Sequence, residues 1–130
     1  MEVLRQLFND KEIDNLLEVN PYIKVKSDKD LGSVIKVLSH THCTNKVLRN
    51  IITTNPFVLL RDASDIEELI EKLEGYNIKR VDKIFDMYPY ILLKNAYEID
   101  GYFIKCHSKG IDISKAVEML LEDPYLIDKE

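Results

Sequence analysis

A basic residue lies five positions after each of the four prolines of the chain. These residues, called here the basic row, are Lys26, Arg61, Lys94 and Lys129. Lysine and arginine bind phosphate oxygens through charge and hydrogen bonds, and the backbone amides at a helix N-terminus also favour anions. If the four positions lie on one edge of the molecule, they predict a path for successive phosphates of a nucleic acid. The alternative is that they are ordinary solvated loop positions, where lysine is common.

A second set of cations lies at the predicted start of the helices that precede the prolines. Its members are Lys11, Lys46, Lys79, Arg80 and Lys115. A cation at a helix N-terminus interacts unfavourably with the helix dipole, so helix stability does not explain these positions. We therefore take Lys46, Lys79 and Arg80, together with the basic row, as candidate nucleic-acid-binding residues.

The sequence contains none of the motifs that commonly support catalysis. It has no glycine-rich phosphate loop, no nucleophile elbow and no pair of carboxylates with a reason to be perturbed. We expect neither an enzymatic activity nor a cofactor.

The basic row is regular because the sequence repeats. The prolines, Pro21, Pro56, Pro89 and Pro124, are separated by 35, 33 and 35 residues. Apolar residues recur eight, five and four positions before each proline, which is the spacing of one buried face of an amphipathic helix. A period of this length indicates an array of helical repeats. The repeats cover residues 9–43, 44–77 and 78–111, with a partial fourth repeat over 112–130.

Each proline begins a short corner between two helices. Residues of a helix-capping type precede three of the prolines: Asn20, Asn55 and Asp123. Proline suits the first position of the helix that such a residue caps. An aromatic residue follows every proline: Tyr22, Phe57, Tyr90 and Tyr125. We expect one 3₁₀ turn at each corner, with these rings packed in the core. Stacking of the rings on nucleic-acid bases is the alternative.

A capped helix follows each corner in the first three repeats. A polar residue six positions after the proline and an acid nine positions after it have the spacing of a capping box: Ser27 with Asp30, Asp62 with Asp65, and Asn95 with Glu98. The sequence thus predicts helices over residues 11–19, 27–39, 46–54, 62–74, 79–87, 95–108 and 114–122. The predicted fold class is all-α, a solenoid with right-angled corners and about three and a half repeats of 33–35 residues.

Two short segments combine histidine and cysteine, residue types that bind zinc. The candidate ligands are His40, His42, Cys43, Cys106 and His107. The repeat register gives both cysteines an apolar role instead. Cys106 aligns with Leu38 and Leu73, and Cys43 aligns with Ile111. We expect no metal site.

The proline-aromatic-apolar corner, repeated in register after an apolar helix, resembles the mitochondrial transcription termination factor family. The resemblance covers residues 11–128. It implies a curved superhelix whose units have two α-helices and a 3₁₀ turn, and which binds nucleic acid along a basic path. The chain differs from that family in its acidic net charge, its small number of repeats and its lack of an organelle-targeting segment.

Charge and chain length bound the remaining expectations. The formal net charge of -5 leaves two functions open: a module that binds DNA or RNA locally, or a protein-interaction scaffold without nucleic-acid affinity. We expect a cytoplasmic protein without membrane association, because the sequence has neither a signal peptide nor a long apolar run. The fourth repeat lacks its second helix, so we expect its apolar face, residues 116–127, to be covered by a homodimer partner or a folded-back cap.

Overall fold

A computed structural model describes residues 1–129 of the chain. Within this range the protein is helical and contains no β-strand. The α-helices are α1 (Glu2–Arg5), α2 (Asp10–Val19), α3 (Asp28–Ser39), α4 (Asn45–Thr54), α5 (Ala63–Gly75), α6 (Val81–Met87), α7 (Ala96–Ser108) and α8 (Ile113–Glu122). Four 3₁₀ helices begin at the prolines: η1 (Pro21–Val25), η2 (Pro56–Leu60), η3 (Pro89–Leu93) and η4 (Pro124–Asp128). None of the described helices has the length and apolarity needed to cross a bilayer.

The predicted all-α class is confirmed, and the seven predicted helices end within two residues of α2 to α8. The helix α1 was not predicted because it has only four residues. Its Leu4 is fully buried, and α1 packs on α3.

Equivalent helices of successive repeats pack against one another. The helices that follow the corners form one series, in which α3 contacts α5 and α5 contacts α7, and the short α1 contacts α3 at the start of this series. The helices that precede the corners form a second series, in which α4 contacts α6 and α6 contacts α8. The core lies between the two series and contains the predicted apolar stripes, including the fully buried Ile51, Ile84, Leu31 and Ile66.

Side-chain caps start most of these helices. Asn95 and Glu98 form the predicted capping box, and the Ser27 hydroxyl accepts a hydrogen bond from the Asp30 amide at 3.1 Å. Asp62 occupies the predicted N-cap position of α5, but its side chain makes no capping hydrogen bond.

The corners differ from their prediction in the direction of the aromatic rings. The rings were expected in the core, but Tyr22, Phe57, Tyr90 and Tyr125 are 69%, 41%, 42% and 51% exposed. A 3₁₀ helix has about three residues per turn, so its second and fifth residues share one face. That face points outward here, while the third residue of each of the first three 3₁₀ helices is fully buried: Ile23, Val58 and Ile91.

The residues before the prolines occupy the predicted N-cap positions, but in two repeats the side chain makes no capping hydrogen bond. Asn20 and Asn55 make no side-chain cap and are 1% and 0% exposed. Asp123 does cap, because its carboxylate accepts a hydrogen bond from the Tyr125 amide at 3.2 Å.

The apolar face of the fourth repeat is better covered than the sequence predicts. Leu120 is fully buried and Leu126 is half-buried, because α6 and α7 pack on α8, and α7 also packs on η4. A groove remains open beside α7.

Candidate interaction surface at the corners

The 3₁₀ helices of neighbouring repeats lie side by side, since η1 contacts η2 and η2 contacts η3. This arrangement places the basic row along one edge, because Lys26, Arg61 and Lys94 directly follow the last residues of η1, η2 and η3. All three are half-buried, and Lys129 at the end of η4 is exposed. The four residues of the basic row therefore occupy equivalent positions in their repeats, but their environments differ.

Arg61 uses its guanidinium to bind the following repeat. Its Nη1 donates hydrogen bonds to the carbonyl oxygens of Leu92, at 2.6 Å, and Lys94, at 2.7 Å. The side chain thus crosses from the end of η2 to the end of η3. A phosphate would have to compete with two internal acceptors for this cation.

Lys94 is neutralised by carboxylates. Its Nζ lies 2.5 Å from Oδ1 of Asp128, in the fourth repeat, and 3.3 Å from Oε2 of Glu98. Burial acts to lower the pKa of Lys94, but the hydrogen bonds to Asp128 and Glu98 raise it overall. Tyr88 also donates to Asp128, and burial together with this carboxylate raises the pKa of Tyr88 to about 12. Lys94, Tyr88 and Asp128 form one link between the third and fourth repeats.

The remaining candidate cations differ in their contacts. The side chain of Lys26 makes no hydrogen bond or ion pair within residues 1–129. Lys46 and Lys79 are exposed. Arg80 binds Asp82 with two hydrogen bonds, of 2.9 and 2.8 Å, which holds the pKa of that carboxyl below its usual range. The phosphate path stays a prediction. Only some of its cations lack an ion pair with a carboxylate.

An exposed apolar surface runs along the same edge. We call it the corner face; it consists of Tyr22, Val25, Phe57, Leu60, Tyr90, Leu93 and Tyr125. Val25 is 80% exposed and Leu93 is 41% exposed, while Leu60 is half-buried. Because η1 contacts η2 and η2 contacts η3, these exposed side chains lie on adjacent 3₁₀ helices. At the end of the row, the ring of Tyr125 stacks on that of Tyr88 at 4.1 Å.

The histidines and cysteines do not come together within the described residues. No group of three or more potential metal-binding side chains is found in residues 1–129. Cys106 is buried in α7, as its apolar register predicts. Cys43 is half-buried next to the Thr41 hydroxyl, and burial raises the pKa of its thiol.

Comparison with models of known protein families and with curated proteins finds no match to this sequence. The resemblance to the mitochondrial transcription termination factor family therefore stays a prediction that rests on the repeated corner. The corner face was not predicted from the sequence, although its signal was present. The second and fifth residues of a 3₁₀ helix lie on the same side, because each turn has about three residues. Apolar residues at both positions therefore make that side apolar.

Proposed function

We propose that this chain is a non-enzymatic helical-repeat module, a solenoid of about three and a half repeats resembling the mitochondrial transcription termination factors, that binds another protein through the corner face. The observation that carries the proposal is the row of exposed aromatic and aliphatic side chains on adjacent 3₁₀ helices. Single exposed apolar residues are ordinary on a protein surface, but contiguous ones mark interaction sites.

The composition of the corner face supports a protein partner. Aromatic residues are enriched at protein interfaces because a rigid ring contributes a large contact area, and tyrosine adds a hydroxyl for hydrogen bonding. Three of the four exposed corner rings are tyrosines. Basic side chains surround them, but Arg61 and Lys94 have internal partners and the whole chain carries a formal charge of -5. A partner with an apolar contact surface therefore suits the corner face better than a polyanion does.

The test compares partner capture by two triple variants. Tyr22→Ser, Phe57→Ser and Tyr90→Ser together remove three corner rings. The matched control, Tyr97→Ser, Ile104→Ser and Ile113→Ser, removes three side chains that are also exposed, at 84%, 66% and 57%, but lie outside the corner face. We expect a partner that the parent protein retains under crosslinking to be lost from the first variant only. Equal retention by both variants, with both still folded, would reject the corner face as the binding surface.

Nucleic-acid binding is the second candidate, and one observation favours it. The exposed rings of Tyr22 and Phe57 lie on the edge that also carries Lys24 and Lys26, and bases stack on aromatic rings with little sequence preference. Anisotropy of labelled single-stranded RNA and duplex DNA should be followed across a salt series, because phosphate contacts weaken as salt rises. A complete absence of binding at low salt eliminates this candidate. Binding that the three corner substitutions abolish would instead place the nucleic acid on the corner face.

A further inference from the structure

A groove with a volume of about 220 Å³ lies beside α7, on the side away from α5. One wall is a ridge of α7 with helical spacing: Tyr102, Lys105, Cys106 and Lys109. The half-buried Ile111, Met119 and Leu126 supply apolar lining from the segment before α8, from α8 and from η4. This surface is distinct from the corner face, because the groove and the corner face share no residue.

The preceding repeat has the same ridge, and there a helix covers it. The equivalent residues, 33 positions earlier, are Leu69, Lys72 and Leu73 of α5 and Tyr76, which directly follows α5. Helix α7 packs on them through Asp100 and Phe103. Nζ of Lys72 lies 3.2 Å from Oδ2 of Asp100, and the Tyr76 hydroxyl donates to Oδ1 at 2.5 Å. The Tyr76 ring stacks on Phe103 at 3.8 Å. A carboxylate and an aromatic ring three residues apart are therefore the groups that bind this ridge.

The open ridge on α7 keeps that chemistry and makes it more basic. Lys105 occupies the position of Lys72, and Lys109 occupies that of Tyr76. Lys129 adds a third cation at the rim, where its carbonyl oxygen accepts a hydrogen bond from Nζ of Lys105. Within the described part of the chain, no carboxylate lines the groove. The buried Cys106 forms part of its apolar floor.

We propose that this groove binds an amphipathic helix of a partner protein, with a carboxylate facing Lys105 and Lys109 and an apolar or aromatic residue three positions later. A helix fits because α5 packs on α3 and α7 packs on α5 in the preceding repeats. The carboxylate follows from charge complementarity, since two lysines on the ridge and a third on the rim face no acid among the lining residues. The inference goes beyond the corner face and does not depend on it.

The probe for this proposal is a peptide with the sequence of residues 94–110, since α7 is the helix that binds the equivalent ridge. Cys106 is replaced by Ser, and a hydrocarbon staple replaces Ile104 and Ser108, which are both exposed in α7, so that the peptide is already helical. Fluorescence anisotropy of the labelled peptide with the full chain should show saturable binding. Lys105→Glu together with Lys109→Glu should weaken binding by about tenfold or more, as should Asp100→Lys in the peptide. Combining the changed protein with the changed peptide should recover most of the loss.

Matched controls distinguish binding in the groove from nonspecific charge attraction and from binding at the corner face. Lys11→Glu with Lys36→Glu makes the same change in net charge on exposed lysines outside the groove and should leave peptide binding unchanged. The corner-face triple variant should also bind the peptide normally, so failure of the proposed function and failure of this site are distinguishable. Absence of saturable binding, or an equal loss in the lysine control, would overturn the proposal. Self-association of the parent protein that Lys105→Glu and Lys109→Glu abolish would also overturn it, because the occupant would then be a second copy.

Discussion

The junctions between successive repeats use equivalent residues in different ways. In the second junction, between repeats two and three, Nδ2 of Asn55 donates to the Pro89 carbonyl at 3.1 Å, and Arg61 binds two more carbonyls. In the first junction, between repeats one and two, the buried side-chain amide of Asn20 makes no hydrogen bond to the described protein, and the side chain of Lys26 makes none either. Equivalent repeat positions thus make different interactions. The repeat pattern alone does not show which junction has hydrogen bonds at its corner.

The first junction is held together at another place. Nη2 of Arg49, in α4, lies 2.7 Å from Oε2 of Glu12, in α2, and Nη1 donates to the Leu7 carbonyl at 2.7 Å. The guanidinium also lies 5.5 Å from the centre of the Phe8 ring. The polar links of the first junction therefore lie between α4 and the region at the start of α2, rather than at the corner. The following substitutions test whether the two junctions differ in stability as their contacts indicate.

The largest difference is expected at the fourth residue of the 3₁₀ helices. Leu59 is 1% exposed because α3 packs on η2, whereas the equivalent Lys24 is exposed on η1. Leu59→Ala should lower the free energy of unfolding by about 2 to 5 kcal/mol, the usual cost of emptying a core leucine site. Lys24→Ala should change it by less than about 0.5 kcal/mol. Urea denaturation measures both, and similar effects would show that the contact of α3 with η2, which belongs to the first junction, contributes nothing beyond a solvated side chain.

The basic row should show the next largest difference. Arg61→Met keeps the length of the side chain but removes the hydrogen bonds to Leu92 and Lys94, so it should cost about 1.5 to 3 kcal/mol. Lys26→Met removes no described contact and should cost less than about 0.5 kcal/mol. If denaturation midpoints shift equally for the two variants, the Arg61 contacts contribute nothing beyond a solvated charge. A charge-reversal test of nucleic-acid binding at Arg61 therefore needs a stability control.

The buried asparagines offer a matched pair with a smaller effect. Asn55→Ala leaves the Pro89 carbonyl without its donor and should cost about 1 to 3 kcal/mol. Asn20→Ala removes an amide that makes no hydrogen bond to the described residues, so it should cost clearly less. The difference between the two variants in thermal unfolding isolates the hydrogen bond, because the volume removed is the same. A larger loss for Asn20→Ala would contradict the comparison.

The smallest expected effect concerns acid. Burial acts to raise the pKa of Asp128, but hydrogen bonds from Lys94 and Tyr88 outweigh it and lower that pKa in the folded protein. The stability that Asp128 contributes is therefore present above its unfolded pKa of about 3.9 and is lost as pH falls through the lower folded value. Asp128→Asn should make the melting temperature fall less steeply between about pH 5 and pH 2. The control Asp14→Asn, at an exposed position in α2, should keep the parent slope; an unchanged slope in Asp128→Asn would contradict the link.

Local sequence patterns predicted the helices but not the contacts at the corners. The ends of α2 to α8 were predictable because apolar spacing, prolines and capping residues act within a few positions of one another. The direction of the Tyr22 and Phe57 rings was predicted wrongly, since it depends on which face of a 3₁₀ helix the neighbouring repeat covers. The acceptors of Arg61 and the Asp128 partner of Lys94 lie 31 to 34 positions away, so their identification requires the positions of atoms in the next repeat.

Arg61 and Lys94 bind different kinds of acceptor, and this difference affects which sequence changes the repeats can tolerate during evolution. Arg61 binds main-chain carbonyls, which every amino acid supplies, so side chains at positions 92 and 94 can be replaced without loss of those acceptors. Lys94 binds the side chain of Asp128, and replacement of either residue removes the pair. A repeat that follows an arginine at the position of Arg61 can therefore be exchanged without loss of the contact. A repeat that follows a lysine there must keep an acid that pairs with the lysine.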